Sequence, residues 1–188
     1  KMRSNLSPAA ALRRFGFLQT RKGAIILGIS VGLFVTMQGF GYAATFTDEK
    51  SRADLAASLT GAPALGILYG EPKEILTTSG YMVYRTVAIL ALITSLWGLT
   101  TATKLLRGQE EDGRTEAIVT GSTTARQASW HMFLGYIGSM IVSFVIAALV
   151  IIGCGRIPEV NAPVLTCILI AAAIYLPSFF FASLGVFT

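Results

Sequence analysis

The chain has 188 residues, of which 53% are hydrophobic and 13% are charged, and its mean hydropathy is +0.65. Soluble domains carry about 25% charged residues, so this composition excludes an ordinary soluble protein and favours one that lies in lipid. We interpret the net charge of +5 as a signal of membrane topology, and it gives no indication of nucleic-acid binding.

Residues 1–22 form a basic segment with six lysines and arginines and no acid. Ser7 followed by Pro8 is a typical helix start, because serine caps the first backbone amides and proline fits the first helical position. Apolar residues alternate with basic ones after Pro8. We expect a cytoplasmic amphipathic surface helix that lies against anionic lipid headgroups, and the alternative is a disordered basic tail.

Four stretches are apolar over the roughly 20 residues that a helix needs to cross a bilayer. They are residues 23–46, 82–106, 131–153 and 163–188. Only the second contains charged residues, Arg85 and Lys104, and both lie near its ends. Continuous apolar runs of this length do not fit the alternating pattern of outer-membrane strands. The sequence therefore predicts an all-α integral membrane fold with a surface helix and four transmembrane helices.

The distribution of Lys and Arg predicts the orientation, because cytoplasmic flanks retain positive charge. Residues 1–22 and 107–130 are the basic flanks. We therefore expect a multi-pass protein of the plasma membrane with its N-terminus and residues 107–130 in the cytoplasm. Residues 47–81 and 154–162 would then be extracellular loops. Within the first of these, Ser51 to Leu59 is predicted to form a short helix.

Residues 107–127 combine an acidic cluster with a short apolar turn, and the members of the two groups are Glu110, Glu111, Asp112, Ala117, Ile118 and Val119. Three consecutive apolar residues in a cytoplasmic loop would be an exposed patch unless a partner covers them. The carboxylates can pair with basic residues of that partner while the apolar turn fills a pocket that excludes water. The alternative is an ordinary solvated acidic loop.

This segment resembles the loop after the second span in the membrane permeases of type-2 ATP-binding-cassette exporters. The matching places are filled by Arg107, Glu110, Glu111, Gly113, Glu116 and Arg126, although the proline that many members carry before the final basic residue is absent here. In that family the segment is the coupling helix, which docks into an ATPase subunit. The resemblance implies an interface formed by Glu110, Glu111, Gly113, Arg114, Glu116, Ile118, Val119 and Arg126.

The resemblance also implies the partners of the chain. Two ATPase subunits would hold ATP and Mg²⁺, and a second permease half would be either fused or a separate copy. The stretches Pro63-Ala-Leu65 and Leu68-Tyr-Gly70 are similar to those of actinobacterial antibiotic and multidrug exporters. Such permeases have six spans per half. Because the chain also lacks an initial Met and an anchor after its last apolar run, we expect it to be part of a longer chain.

Neither catalysis nor a resident cofactor or metal is expected in this chain. It contains no Gly-Lys-Ser or Gly-Lys-Thr sequence of a nucleotide-binding loop, so ATP would be hydrolysed by a partner. The single histidine, His131, is predicted to be a polar residue at a helix end. The two cysteines, Cys154 and Cys167, fit neither a metal-ligand spacing nor a disulfide framework.

A few polar and aromatic residues within the spans are candidates for a substrate path, namely Phe34, Gln38, Thr94, Trp97 and Ser139. Their alternative roles are core packing and hydrogen bonds between helices. Because the spans lack buried charge, we expect a hydrophobic small-molecule cargo such as a drug, an antibiotic or a lipid-like compound. The rival functions are a non-transporting membrane scaffold that recruits a cytoplasmic partner, and a secondary transporter, which the same lack of charge disfavours.

Overall fold

The computed structural model describes residues 7–111 and 124–185, except for the side chains of residues 63, 107–111 and 125. In this part of the chain all regular structure is helical. The elements are α1 (Pro8–Thr45), α2 (Glu49–Thr60), α3 (Pro63–Tyr69), α4 (Thr78–Glu111), α5 (Ala125–Gly155) and α6 (Val164–Leu184). The helices α1, α4, α5 and α6 are long and apolar enough to cross a membrane. The predicted all-α class and the four membrane-length helices are therefore confirmed.

The separate surface helix and the six-helix half are not confirmed. Helix α1 runs without a break for 38 residues, which is about 57 Å at 1.5 Å per residue and longer than a ~30 Å hydrocarbon core. It begins where the sequence predicts, with Ser7 accepting a hydrogen bond from the Ala10 amide and Pro8 in the first turn. The first turns of α1 do not form a separate surface helix, because Leu12, Gly16 and Thr20 are buried against the bundle.

Helix α4 also differs from the predicted boundaries, since it begins at Thr78 instead of residue 82 and continues past residue 106 to Glu111. Helix α2 begins two residues before the predicted Ser51, because Asp48 accepts a hydrogen bond of 2.7 Å from the Ser51 amide and caps the helix. Helix α5 begins with a reciprocal cap between Thr124 and Gln127. Polar caps thus determine these helix starts more than the hydrophobic pattern does.

Helices α1 and α5 pack in parallel along a stripe of small residues. A β-carbon added to Gly28 would lie 2.6 Å from the Ser143 carbonyl oxygen, and one added to Gly32 would lie 2.7 Å from the Val150 side chain. Gly16 similarly faces the backbone of Met132. The residue numbers rise together, so the helices run in the same direction. Small residues permit this close approach of two backbones, as is common between membrane helices.

Helices α4 and α6 form the second parallel pair. Gly98 lies against Ser178, where an added β-carbon would be 2.9 Å from the Ser178 carbonyl oxygen, and Gly185 lies against Ala102. The two pairs join because α1 also contacts α4 and α5 also contacts α6. The result is a four-helix bundle in which α1, α5, α6 and α4 follow one another around the circumference. Helices α2 and α3 lie together at the end where α1 finishes and α4 begins.

Candidate functional site

The two ends of the bundle differ in charge. At one end, which we call the basic end, the charged side chains that the structure describes are all cationic and exposed, and they are Arg13, Arg14, Arg21, Lys22, Lys104 and Arg126. The described acidic side chains lie at the opposite end, which carries α2 and α3 and which we call the acidic end, and they are Asp48, Glu49, Asp54, Glu71, Glu74 and Glu159. The acidic end also carries five described cations, which are Lys50, Arg52, Lys73, Arg85 and Arg156. Among the described side chains, acids therefore occur only at the end that carries α2 and α3, whereas cations occur at both ends of the bundle.

The predicted coupling segment connects the helices α4 and α5 at the basic end. Helix α4 ends at Glu111, so Glu110 and Glu111 belong to its last turn, and Arg126 is exposed in the first turn of α5. The other predicted interface residues lie outside the described residues, and they are Gly113, Arg114, Glu116, Ile118 and Val119. The structure therefore places three of the eight predicted residues at the same end of the bundle.

The basic end is firmly connected to the rest of the bundle. Leu12 of α1, Leu105 of α4 and Met132 of α5 belong to one buried cluster, which Tyr136 extends toward the middle of the bundle. The Arg13 side chain donates a hydrogen bond of 3.4 Å to Nδ1 of His131, which lies near the start of α5 as the sequence predicts. A displacement of the basic ends of α4 and α5 would therefore also move α1.

A cleft opens between α1 and α4 near the basic end, with a volume of about 230 Å³. We call it the basic-end cleft. Its lining residues are Gln19, Thr20, Gly23, Trp97, Thr101, Lys104 and Leu105. The indole of Trp97 packs on Gly23, where an added β-carbon would lie 3.3 Å from the ring. Trp97 was a predicted site residue, whereas the cleft itself was not predicted, because its two halves are about 80 residues apart in the sequence and no local pattern connects them.

Thr94 and Ser139 of the predicted substrate path form hydrogen bonds inside the bundle. Both are fully buried. The Thr94 hydroxyl donates to the Ile174 carbonyl at 2.9 Å, and the Ser178 hydroxyl donates to the Thr94 carbonyl at 2.7 Å, so both bonds join α4 to α6. Ser139 lies 2.8 Å from the hydroxyl of Thr20 on α1. These contacts fit the alternative role of hydrogen bonding between helices.

Phe34 and Gln38 lie apart from the cleft, on the half of α1 nearer to the acidic end. Phe34 is 38% exposed and Gln38 is partly buried. The predicted path residues therefore divide into a cleft residue, two interior hydrogen-bonding residues and two residues on the far half of α1.

Two tyrosines extend the interior hydrogen bonding across the bundle. Tyr136 of α5 donates to the Gly98 carbonyl of α4 at 3.0 Å, and the hydroxyls of Ser143 and Tyr175 lie 2.7 Å apart between α5 and α6. Together with the Thr20 and Thr94 contacts, these bonds connect all four long helices. In an apolar environment a buried hydroxyl without a partner is costly, so each of these bonds helps to define which helices pack together.

The residues Gly28-Ile29-Ser30-Val31-Gly32 have the Gly-x-Ser-x-Gly spacing of a serine nucleophile elbow. Such an elbow requires a sharp turn from a strand into a helix. Here the motif lies in the middle of α1, with Ser30 exposed on the helix surface and both glycines packed against α5. The spacing reflects the small-residue stripe and does not form a catalytic elbow.

The described residues contain no cluster of three or more His, Cys, Asp or Glu side chains that could hold a metal ion. Cys154 and Cys167 are buried free thiols. Comparisons of this chain with protein families, with curated proteins and with solved structures give no match.

Proposed function

We propose that this chain is the membrane permease subunit of an ATP-driven exporter of the ATP-binding-cassette class, with the basic end in the cytoplasm. The observation that carries the proposal is the acidic and apolar segment 107–127, which joins α4 to α5 at the end of a bundle long enough to cross a membrane. Two ATPase subunits would bind there, each with ATP and Mg²⁺. A second permease half, fused or separate, would complete the transport path.

The packing of the basic end supports a mechanical role for the segment. Helices α4 and α5 continue without interruption from the segment into the bundle. Their basic ends share a buried cluster with Leu12 of α1. Closure of an ATPase against residues 107–127 would therefore tilt two membrane-length helices directly and α1 through them. Rigid helices packed in this way can transmit a small displacement across the bilayer.

The proposed cargo is a hydrophobic or amphipathic small molecule, such as a drug, an antibiotic or a lipid-like compound. The four predicted spans, residues 23–46, 82–106, 131–153 and 163–188, contain only two charged residues, Arg85 and Lys104, and each lies near an end of its span. Ion-coupled transport needs ionisable groups within the membrane. Hydroxyls inside the bundle, such as those of Thr94, Ser143 and Tyr175, are instead already hydrogen-bonded to neighbouring helices.

The test is co-purification of ATPase activity. The tagged chain is purified in mild detergent from the membranes of its own organism, and vanadate-sensitive hydrolysis of Mg-ATP is measured. The variant Glu111→Lys with Glu116→Lys should lose at least tenfold of the associated activity, because the proposed pairing of these carboxylates with basic residues of the ATPase would be replaced by repulsion. The matched control, Glu71→Lys with Glu159→Lys, makes the same charge change on exposed residues at the opposite end and should retain the activity.

Equal ATPase activity in the two double variants would refute the docking role. A scaffold subunit is distinguished by reconstituting the purified complex into vesicles with a hydrophobic fluorescent dye. ATP-dependent movement of the dye supports a permease, whereas bound ATPase activity without dye movement over a panel of hydrophobic dyes supports a scaffold.

A further inference from the structure

The basic-end cleft has a polar rim and an aromatic floor. Lys104 is exposed at its outer margin, and Trp97 is half-buried deeper along the same helix. Seven residues separate them, which corresponds to about 10 Å along α4. Positions 97, 101 and 104 share one face of the helix, because they are spaced by four and three residues. The cleft therefore changes from cationic to aromatic along the direction of the helix axis.

The charge around the cleft favours an anion. Lys104 is the only charged residue among its lining residues, and the exposed side chains of Arg21 and Lys22 lie on the adjoining turn of α1. The described acidic side chains are all at the far end of the bundle, and Glu110 and Glu111, whose side chains the structure does not describe, lie about two turns beyond Lys104 at the end of α4. An anion in the cleft would thus meet attraction from three cations on the described surface. Basic groups close to a membrane surface attract anionic lipids by this mechanism.

Neutral hydrogen-bond donors complete the rim. The Thr20 hydroxyl is already bonded to Ser139 and to the Gly16 carbonyl, so it is committed to the interior. The Gln19 amide and the Thr101 hydroxyl also line the cleft and can donate to phosphate or glycerol oxygens. A Lys ammonium with two neutral donors can bind the phosphate of a lipid headgroup. The indole of Trp97, deeper in the cleft, can then contact the upper part of the lipid's acyl chain.

We propose that the basic-end cleft binds one anionic phospholipid, with the headgroup at Lys104, Gln19 and Thr101 and the upper acyl chain against Trp97. The volume of about 230 Å³ admits part of a lipid, not a whole one, so the remaining chain would lie along the surface groove between α1 and α4. The proposal requires that the bundle is inserted in a membrane, but it does not depend on the ATPase partner. A lipid bound between α1 and α4 would make the stability of the contact between these helices depend on the fraction of anionic lipid in that leaflet.

The experiment measures lipid binding by the quenching of Trp97 fluorescence. The chain has two tryptophans, and Trp130→Phe leaves Trp97 alone while preserving the ring contact with Phe133. The full chain is reconstituted into vesicles of phosphatidylcholine that contain increasing fractions of either dibromo-phosphatidylglycerol or dibromo-phosphatidylcholine, with bromines on the upper acyl chain. Bromine quenches indole fluorescence only on contact, so quenching reports which lipid occupies the cleft.

We expect the phosphatidylglycerol probe to bind about fivefold more strongly than the phosphatidylcholine probe, and Lys104→Gln to bring the ratio close to one. The matched control is Arg14→Gln, which also removes one exposed cation. It lies nine residues before Gly23, about 180° around α1 from the cleft, and should leave the ratio unchanged.

Each remaining outcome contradicts the proposal. Equal quenching by both probes would show insertion without selectivity, and an equal loss in the Lys104→Gln and Arg14→Gln variants would indicate diffuse surface attraction. Absence of quenching by either probe would show that another segment or subunit covers the cleft. A change of Trp97 fluorescence with inorganic phosphate, measured in uncharged detergent micelles, would identify a free phosphate site instead of a lipid site. Failure of the ATPase experiment leaves all these readouts unaffected.

Discussion

Thr20 of α1 and Ser139 of α5 hold their hydroxyl oxygens 2.8 Å apart in the interior of the bundle, although 119 positions separate them in the sequence. Thr20 also lies 2.9 Å from the Gly16 carbonyl oxygen, and Ser139 lies 2.8 Å from the Tyr136 carbonyl oxygen. The two hydroxyls have two protons for these three contacts. One hydroxyl therefore donates across the helix interface while the other donates to its own helix.

Removing this contact should weaken the α1–α5 interface by a small, measurable amount. Thr20→Val preserves the shape of the side chain, and Ser139→Ala removes the partner. Hydrogen bonds between membrane helices contribute about 0.6 kcal/mol on average and at most about 1.7 kcal/mol, so we expect a coupling energy in this range. The measurement is a double-mutant cycle on reversible unfolding in mixed micelles. Additive effects of the two substitutions would contradict the contact.

Thr100→Val provides the matched control for the hydroxyl. Thr100 is exposed on α4 and donates only within its own helix, to the Leu96 carbonyl at 2.8 Å. Its replacement should change the free energy of unfolding by less than about 0.5 kcal/mol. A loss at Thr100 equal to that at Thr20 would show that the cost comes from the bond to the same helix and not from the α1–α5 contact.

Adding a methyl group to the small-residue stripe between α1 and α5 should lower the stability more than the loss of the Thr20–Ser139 contact does. In Gly28→Ala the new β-carbon would meet the Ser143 carbonyl oxygen at 2.6 Å, so one backbone must move. Forcing extra volume into a packed interface costs about 1–3 kcal/mol. Gly41→Ala adds the same methyl group to the same helix with no atom within 4 Å, and it should be neutral. Thermal unfolding of both variants in detergent compares them directly. Equal stability would contradict the close parallel packing of α1 and α5.

The sequence was sufficient to predict the features that depend on local chemistry. Apolar length predicted four helices, and the pair Ser7 and Pro8 predicted where α1 begins. The boundary between a surface helix and the first span was not predictable in the same way. Charge suggested a break near residue 22, but no residue there interrupts a helix, and the buried Leu12 and Gly16 make the first part of α1 an extension of the bundle.

The roles of the polar span residues required the tertiary structure. Thr94 and Ser139 have the same side-chain chemistry whether they contact a substrate or a neighbouring helix, and only the positions of Ile174 and Thr20 show which partner each has. The basic-end cleft is formed by two segments that are distant in sequence, so Lys104 appeared only as a charge at the end of a span. Pairings between distant helices are set by the shape of the packed surfaces, which local periodicity does not encode.

Arg52 should hold the segment after α1 in place. Its guanidinium donates to the Phe46 carbonyl at 2.9 Å and to the Leu76 carbonyl at 3.3 Å, and it lies 5.3 Å from the centre of the Tyr42 ring. Arg52→Ala should expose α2 to faster amide hydrogen exchange by roughly fivefold, since a lost charged hydrogen bond of about 1 kcal/mol makes local opening easier. Lys50→Ala removes an exposed charge from the same helix and should leave exchange unchanged.

The lysine variant refines this test. Arg52→Lys keeps the charge but cannot reach both carbonyls with a planar fork, so exchange in α2 should resemble the alanine variant. Exchange equal to that of the unmodified chain would mean that charge alone holds the segment, and the two carbonyl contacts would then carry no stabilisation.

The orientation of the bundle decides whether an ATPase can reach residues 107–127, and single cysteines can determine it. Lys73 is exposed at the acidic end and Arg126 is exposed at the basic end, while the native Cys154 and Cys167 are buried and should react slowly. In intact cells a membrane-impermeant maleimide should label Lys73→Cys at once and Arg126→Cys only after permeabilisation, because basic flanks remain in the cytoplasm. The reverse pattern would place the segment outside, where no ATP is available, and would exclude the proposed coupling to an ATPase.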